Sequence, residues 1–138
     1  MKYISLSILL LLLGYSCTKP DKIIVCKYLK KQESLKVSQF LILSDDQEYI
    51  KVLNVGDKTI SDEIAGKYSS EANDDYNYEI VLYSDNKASY EVFTEHLSMR
   101  EIDAVAVVIG REKNKTIEKL HGKWKQVKDG TIEIRLSK

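Results

Sequence analysis

From Ile23 to the end of the chain, apolar-rich runs are four to nine residues long, and clusters of turn-forming residues separate them every eight to fourteen positions. Helices that pack on a core need ten or more residues of sustained 3.6-residue period, so this punctuation leaves little but strands. The runs are rich in branched and aromatic residues, with nine tyrosines against one proline and six glycines. Tyr76, Tyr78, Ile80 and Leu82 alternate cleanly. A Ser84-Asp85-Asn86-Lys87 turn follows, and Ala88, Tyr90 and Val92 carry the apolar face back, which predicts a β-hairpin. Ile132, Ile134 and Leu136 likewise oppose Glu133 and Arg135.

The remaining runs extend the pattern. Ile23 to Leu29 is a first strand, and Leu35, Val37, Leu41 and Leu43 share a face of the second, with Gln39 the exception. Tyr49 to Val55 is apolar on both faces and is expected to be covered on both. Leu97 and Met99 mark a short strand. Ala104 to Ile109 is wholly apolar between Asp103 and Gly110, too short for a helix, and reads as a central strand buried on both faces. Arg111 to Lys115 reads as a charged loop. Ile117, Leu120 and Trp124 have helical spacing that Gly122 interrupts, which suits a helical turn leading into a strand, while Lys58 to Ala65 fits either one helical turn or a loop. The expected fold is all-β: an antiparallel meander of eight or nine strands, curled into a small closed or partly open barrel that protects its edges.

Within it one phrase occurs twice, Gly66-Lys67-Tyr68 and Gly122-Lys123-Trp124, each followed by a polar turn and a β-run. A glycine at such a point permits a bend, and the aromatic two residues on closes one end of the core. The lysines are expected to face solvent.

Before this domain stands a different segment. Met1 to Cys17 has a charged start at Lys2, an apolar stretch from Tyr3 to Leu13, then Gly14-Tyr15-Ser16-Cys17. The stretch is shorter than the roughly 20 apolar residues that span a bilayer and has the form of a secretion signal. With its terminal cysteine it resembles a bacterial lipoprotein signal. That resemblance implies a signal peptide over 1–16, a lipidated Cys17 with a short tether over 17–22, and one β-domain over 23–138. It also implies anchoring in the cell envelope, at the outer membrane in a Gram-negative cell. The other reading is ordinary cleavage to a secreted or periplasmic protein, in which Cys17 and Cys26 close a small disulfide loop. If Cys17 carries lipid, Cys26 in the run Ile23-Ile24-Val25-Cys26 is a buried small hydrophobe.

Phe40 to Tyr49 with its acidic turn, then Gly66-Lys67-Tyr68, Glu79 to Leu82, Tyr90-Glu91-Val92 and Leu97-Ser98-Met99 follow one another in an order similar to that of small lipocalin-like lipoproteins, including the N-terminal barrel of the copper-stress lipoproteins. The resemblance implies a β-barrel lipoprotein. The copper-stress family's paired cysteines are reduced to Cys26 here, so its redox and metal roles do not carry over.

Composition bounds function further. Lysine and arginine number 21 against 21 acidic residues, a balance with no net field to gather phosphate polymers, so nucleic acid is not an expected partner. His96 and His121 lack a second ligand at metal-binding spacing. Asp74, Asp75, Asn77 and Glu79 supply oxygens without the order of a calcium loop. There is no nucleophile elbow, phosphate-cradling loop or recognisable Cys-His spacing. The expectation is a protein without enzymatic activity, metal or cofactor, acting through a protein partner in the envelope. The alternative is a carrier of a small apolar ligand, with Tyr78, Leu82, Tyr90 and Trp124 lining its cavity.

Overall fold

The computed structural model describes residues 19–43, 47–55, 63–73 and 76–138. The leader, Cys17 and the Asp74-Asp75 pair lie outside the described residues. Eight antiparallel strands follow in chain order: β1 (Lys22–Glu33), β2 (Lys36–Leu43), β3 (Glu48–Leu53), β4 (Gly66–Asn73), β5 (Tyr76–Leu82), β6 (Lys87–Ile102), β7 (Val105–Lys128) and β8 (Thr131–Ser137). Each pairs with the next, and β1 pairs with β8 from Lys22↔Leu136 to Lys27↔Thr131, so the meander closes in a ring.

Alternation decides which side chains point inward. Ile132, Ile134 and Leu136 are fully buried on β8, Ile80 and Leu82 on β5, and Tyr49, Tyr68 and Leu41 join them from β3, β4 and β2. The expected hairpin forms with Tyr78↔Val92, Ile80↔Tyr90 and Leu82↔Ala88 in register. Cys26 is buried in the same core, and that burial pushes its thiol pKa up to about 12, as suits a small hydrophobe rather than a nucleophile.

One ladder row carries both glycine phrases: Gly66↔Leu82↔Ala88↔Gly122↔Leu136. Strands β4 and β7 run in opposite directions, so Tyr68 and Trp124 lie on opposite sides of that row. A Cβ on Gly122 would sit 1.7 Å from the Arg135 carbonyl oxygen, and one on Gly66 2.8 Å from the Leu53 carbonyl oxygen, so close backbone approach requires glycine at both. Lys123 is exposed, whereas Lys67 is half-buried and forms an ion pair of 3.2 Å with Glu79.

Several expectations are corrected. Ala104 to Ile109 is not buried: Val105, Val107, Val108 and Ile109 are all exposed, because β6 and β7 run on beyond the ring and nothing among the described residues covers them. Arg111 to Lys115 is strand, and Ile117, Leu120 and Trp124 also lie on the one strand β7. Leu97 and Met99 belong to the long β6. In β3 only one face is covered, since Tyr49 is buried while Ile50, Val52 and Leu53 are exposed. Leu35 falls in the tight turn after Ser34 and is exposed, so Leu41 is the fully buried residue of that face.

Candidate functional site

The four residues expected to line a cavity all belong to the buried core or border it. Leu82, Tyr90 and Trp124 are members of the buried core, and Tyr78 packs against it partly exposed. Tyr78 and Trp124 stand on opposite sides of the glycine row. Trp124 seals one end: its indole N–H donates to the Tyr83 carbonyl at 2.7 Å, and its backbone N–H donates to the Asn86 carbonyl at 2.9 Å. Tyr68 donates its hydroxyl to the Ile64 carbonyl. At the other end Lys22 donates to the Tyr90 hydroxyl at 3.3 Å and lies 4.4 Å from the ring centroid. Burial pushes the Tyr90 hydroxyl pKa up, partly offset by Lys22. An open cleft of about 280 Å³ lies there, bordered by Lys22, Leu43, Gln47, Tyr49 and Tyr90. Among the described residues, no three histidine, cysteine, aspartate or glutamate side chains gather to hold a metal ion.

The surface that invites a functional reading is the β6–β7 arm. β6 has 16 residues and β7 has 24, yet β5 pairs with β6 only through Phe93 and β8 pairs with β7 only from His121. From Thr94 to Ile102 the hairpin therefore projects as a two-stranded ribbon, about 30 Å long at strand rise. Its turn is the pair Asp103-Ala104, both at positive φ (52° and 64°), the conformation whose twist matches two strands joined by two residues. Glycine would suit that turn better than alanine. Its absence hides the turn in the sequence and makes Ala104 look like the start of a buried run.

Leu97, Met99, Ile102 and the run Val105 to Ile109 expose their side chains along this ribbon, Ile109 by 61%. No strand among the described residues pairs with the outer edge of β7 from Val105 to Gly110. Edge strands usually carry charges or bulges that prevent further pairing, and this run carries no charge. Register shifts at Val92/Phe93, Thr94/Glu95 and Ser98/Met99 bend and twist the ribbon as it leaves the ring.

A polar clamp fixes the arm's base. Glu91, the buried charged residue of the core wall, accepts from Lys113 Nζ and from Thr116 Oγ1 at 2.9 Å, while Lys113 lies 4.6 Å from the Phe93 ring centroid. Burial pushes the Glu91 carboxyl pKa up, but the Lys113 and Thr116 hydrogen bonds and the charges of Lys113 and Lys119 outweigh it and hold it below the ordinary carboxylate value. Arg111 lies 3.7 Å from Glu95 further out. Sequence reasoning misses this clamp because its partners are 22 and 25 residues apart, across a turn it does not place.

The arm also has a defined direction. Successive strands of a meander alternate direction, so the Asp103-Ala104 turn lies at the end where β1 begins and β8 finishes. There the Lys138 backbone N–H donates to Asp21 Oδ2 at 3.0 Å. The arm thus leaves the ring at the end from which the N-terminal segment departs. No protein-family model, curated protein or solved structure matches the chain.

Proposed function

We propose that this chain is a non-catalytic cell-envelope lipoprotein, anchored through lipid on Cys17, whose β-domain binds protein and whose binding element is the β6–β7 arm. The observation that carries the reading is the uncharged, solvent-exposed edge from Val105 to Ile109 on a ribbon outside the ring. Such an edge presents backbone donors and acceptors together with apolar side chains, which is what a partner strand needs in order to add to a sheet. The burial of Leu82, Tyr90 and Trp124 together in one core cluster supports protein binding over the carriage of an apolar ligand. The shared end of arm and anchor is consistent with the reading. From Asp21, held by the chain's last residue, to Cys17 the tether reaches at most about 14 Å, less than half the arm's length, so an anchored copy lays its arm along the membrane surface.

Two experiments test this. Radiolabelled palmitate should enter the wild-type chain and be lost in Cys17→Ala; unlabelled wild type refutes the anchor. A photo-crosslinking residue at Met99 or Val107 should yield protein adducts in cells, while one at Lys125, on the ring, should not. Absence of adducts from the arm positions refutes its binding role.

A further inference from the structure

We infer that the outer wall made by β6, β7, β8 and β1 is a cationic face that lies against the anionic phosphate headgroups of the membrane holding the anchor. This rests on the lipid anchor proposed at Cys17 and adds which side of the domain meets the bilayer.

The chain is neutral as a whole, with 21 basic and 21 acidic residues, but the register sorts its charges. Trp124, Ile132, Ile134, Leu136 and Cys26 point into the core, so their neighbours along β7, β8 and β1 point outward. One cross-strand row is Lys87↔Lys123↔Arg135↔Ile23, the next is Lys125↔Glu133↔Val25, and a third is Lys128↔Thr131↔Lys27. All six basic side chains are exposed. Acids near them are fewer: Glu133 is bound to Arg135 at 2.6 Å, Asp85 lies 3.7 Å from Lys87, and Asp129 stands in the β7–β8 turn. On the far wall, β3 to β5, the outward charges among the described side chains are Glu48, Lys67 and Glu79, and the last two pair with each other. Like charges directly opposite on neighbouring strands destabilise a sheet. Lys87, Lys123 and Arg135 side by side therefore work against the fold, and an anionic surface laid across them turns that repulsion into attraction.

Position selects lipid as the anion. The first row ends at Ile23, next to Lys22 where β1 begins, and spans three strand separations, about 15 Å. Cys17 stands within about 14 Å of Asp21, so a chain anchored there holds the row close to the headgroups. Ile23 and Val25 are exposed on the same wall and can seat between headgroups, and basic and apolar groups together are what interfacial surfaces use. Strand β7 runs from the arm into the wall, so a wall on lipid sets the arm along the same surface. An anionic leaflet attracts each lysine or arginine that comes within a Debye length, and these six act together.

The test uses the chain without its leader and with Cys17→Ser, so that no acyl chain contributes. It should co-sediment with vesicles of phosphatidylcholine and phosphatidylglycerol, bind phosphatidylcholine alone weakly, and be released by about 1 M salt, where the Debye length falls to about 3 Å. Lys123→Glu should weaken binding roughly tenfold or more. Lys36→Glu, the same change of net charge beside the β1–β2 turn, should bind like the parent, and circular dichroism checks the fold of each variant. A nitrobenzoxadiazole label on Ile23→Cys should shift to the blue on these vesicles, while one on Ser69→Cys, across the ring on β4, should not; Cys26 is buried and stays unlabelled. Absence of binding to phosphatidylglycerol vesicles overturns the inference. So does equal loss in both charge variants, binding that survives high salt, which would come from the apolar arm, or tighter binding to soluble polyglutamate than to vesicles, which would make an acidic protein the partner. Palmitate labelling reads the anchor separately. A labelled wild type whose Cys17→Ser form fails to bind vesicles keeps the anchor and loses the wall, and an unlabelled wild type whose Cys17→Ser form binds them does the reverse.

Discussion

Adding one methyl group at each of three glycines on β4 and β7 should give three different losses of stability, ordered by what each new Cβ meets. At Gly122 it would lie 1.7 Å from the Arg135 carbonyl oxygen and 2.7 Å from the Arg135 carbonyl carbon, where ordinary contact begins at 3.4 Å. Both obstacles are backbone of β8, so strands β7 and β8 must separate within a closed ring that has no free edge to yield there. Overpacking that a side chain can relieve costs about 1–3 kcal/mol, and backbone obstruction lies at or above the top of that range, about 3 kcal/mol or more. For a domain of this size each kcal/mol moves Tm by roughly 4–8 °C, which predicts a fall of about 12 °C or more for Gly122→Ala. At Gly66 the nearest atom, 2.2 Å away, is the end of the flexible Lys51 side chain, and backbone follows at 2.8 Å, so about 1–2 kcal/mol is expected. At Gly110, on the arm, the nearest atom is Ser98 Cβ at 3.7 Å, an ordinary contact, and the change should stay within about 0.5 kcal/mol. Thermal melts followed by circular dichroism read all three. A Gly122→Ala protein melting within a few degrees of the parent would refute the argument, as would a Gly110→Ala protein losing as much as Gly122→Ala.

Other consequences concern the arm and the core. Glu91 titrates below its ordinary value of 4.5 in the folded chain, so its ionised form stabilises the arm's base above that pH, and the contribution is lost as pH falls through the lower folded value. Protection of Phe93 to Thr116 against amide exchange, taken relative to the intrinsic rate at each pH, should therefore fall in acid below pH 4.5 in the parent, whereas Glu91→Gln should show low protection already at neutral pH; identical protection profiles would remove the clamp from the account. Ala104→Gly should stabilise the hairpin by about 1 kcal/mol by relieving the left-handed backbone at φ 64°, measurable as slower exchange next to the turn; faster exchange would mean that the turn is built otherwise. Cys26, buried and with its thiol pushed up to about 12, should resist thiol reagents in the native state and react at the rate of unfolding, so rapid labelling of folded protein would contradict the packing.

The parts of the fold that are legible in the sequence are those in which alternation and turn chemistry coincide. Tyr76 to Val92 is such a case, and so is Thr131 to Leu136 after the Asp129-Gly130 turn, where Gly130 adopts φ 76°. The matching glycine phrases also read correctly as construction, because the close backbone approach that demands glycine leaves its mark in the chain. Hydropathy, however, records that a residue is apolar and not what covers it. Ala104 to Ile109 reads as a central strand since six apolar residues in a row usually are one, yet its place in the ring is taken by the Leu120–Trp124 part of β7. Charge spread over both faces from Arg111 to Lys119 hides the strand that joins the two. The arm therefore goes unread, although its apolar run is the feature that sequence reasoning singles out as needing cover. Val52 and Leu53 mislead in the same way, and β3 exposes them beside a register shift against β4.

The central claim is that Val105 to Ile109 lies outside the ring with its edge open to a partner. Residue-level hydrogen–deuterium exchange of these amides, measured on the purified Cys17→Ser chain, tests it directly. Exchange along the run should be much faster than in Ile132 to Leu136, which stays protected. Protection of the run as strong as that of Ile132 to Leu136 would mean that it is buried within its own fold and would contradict the account.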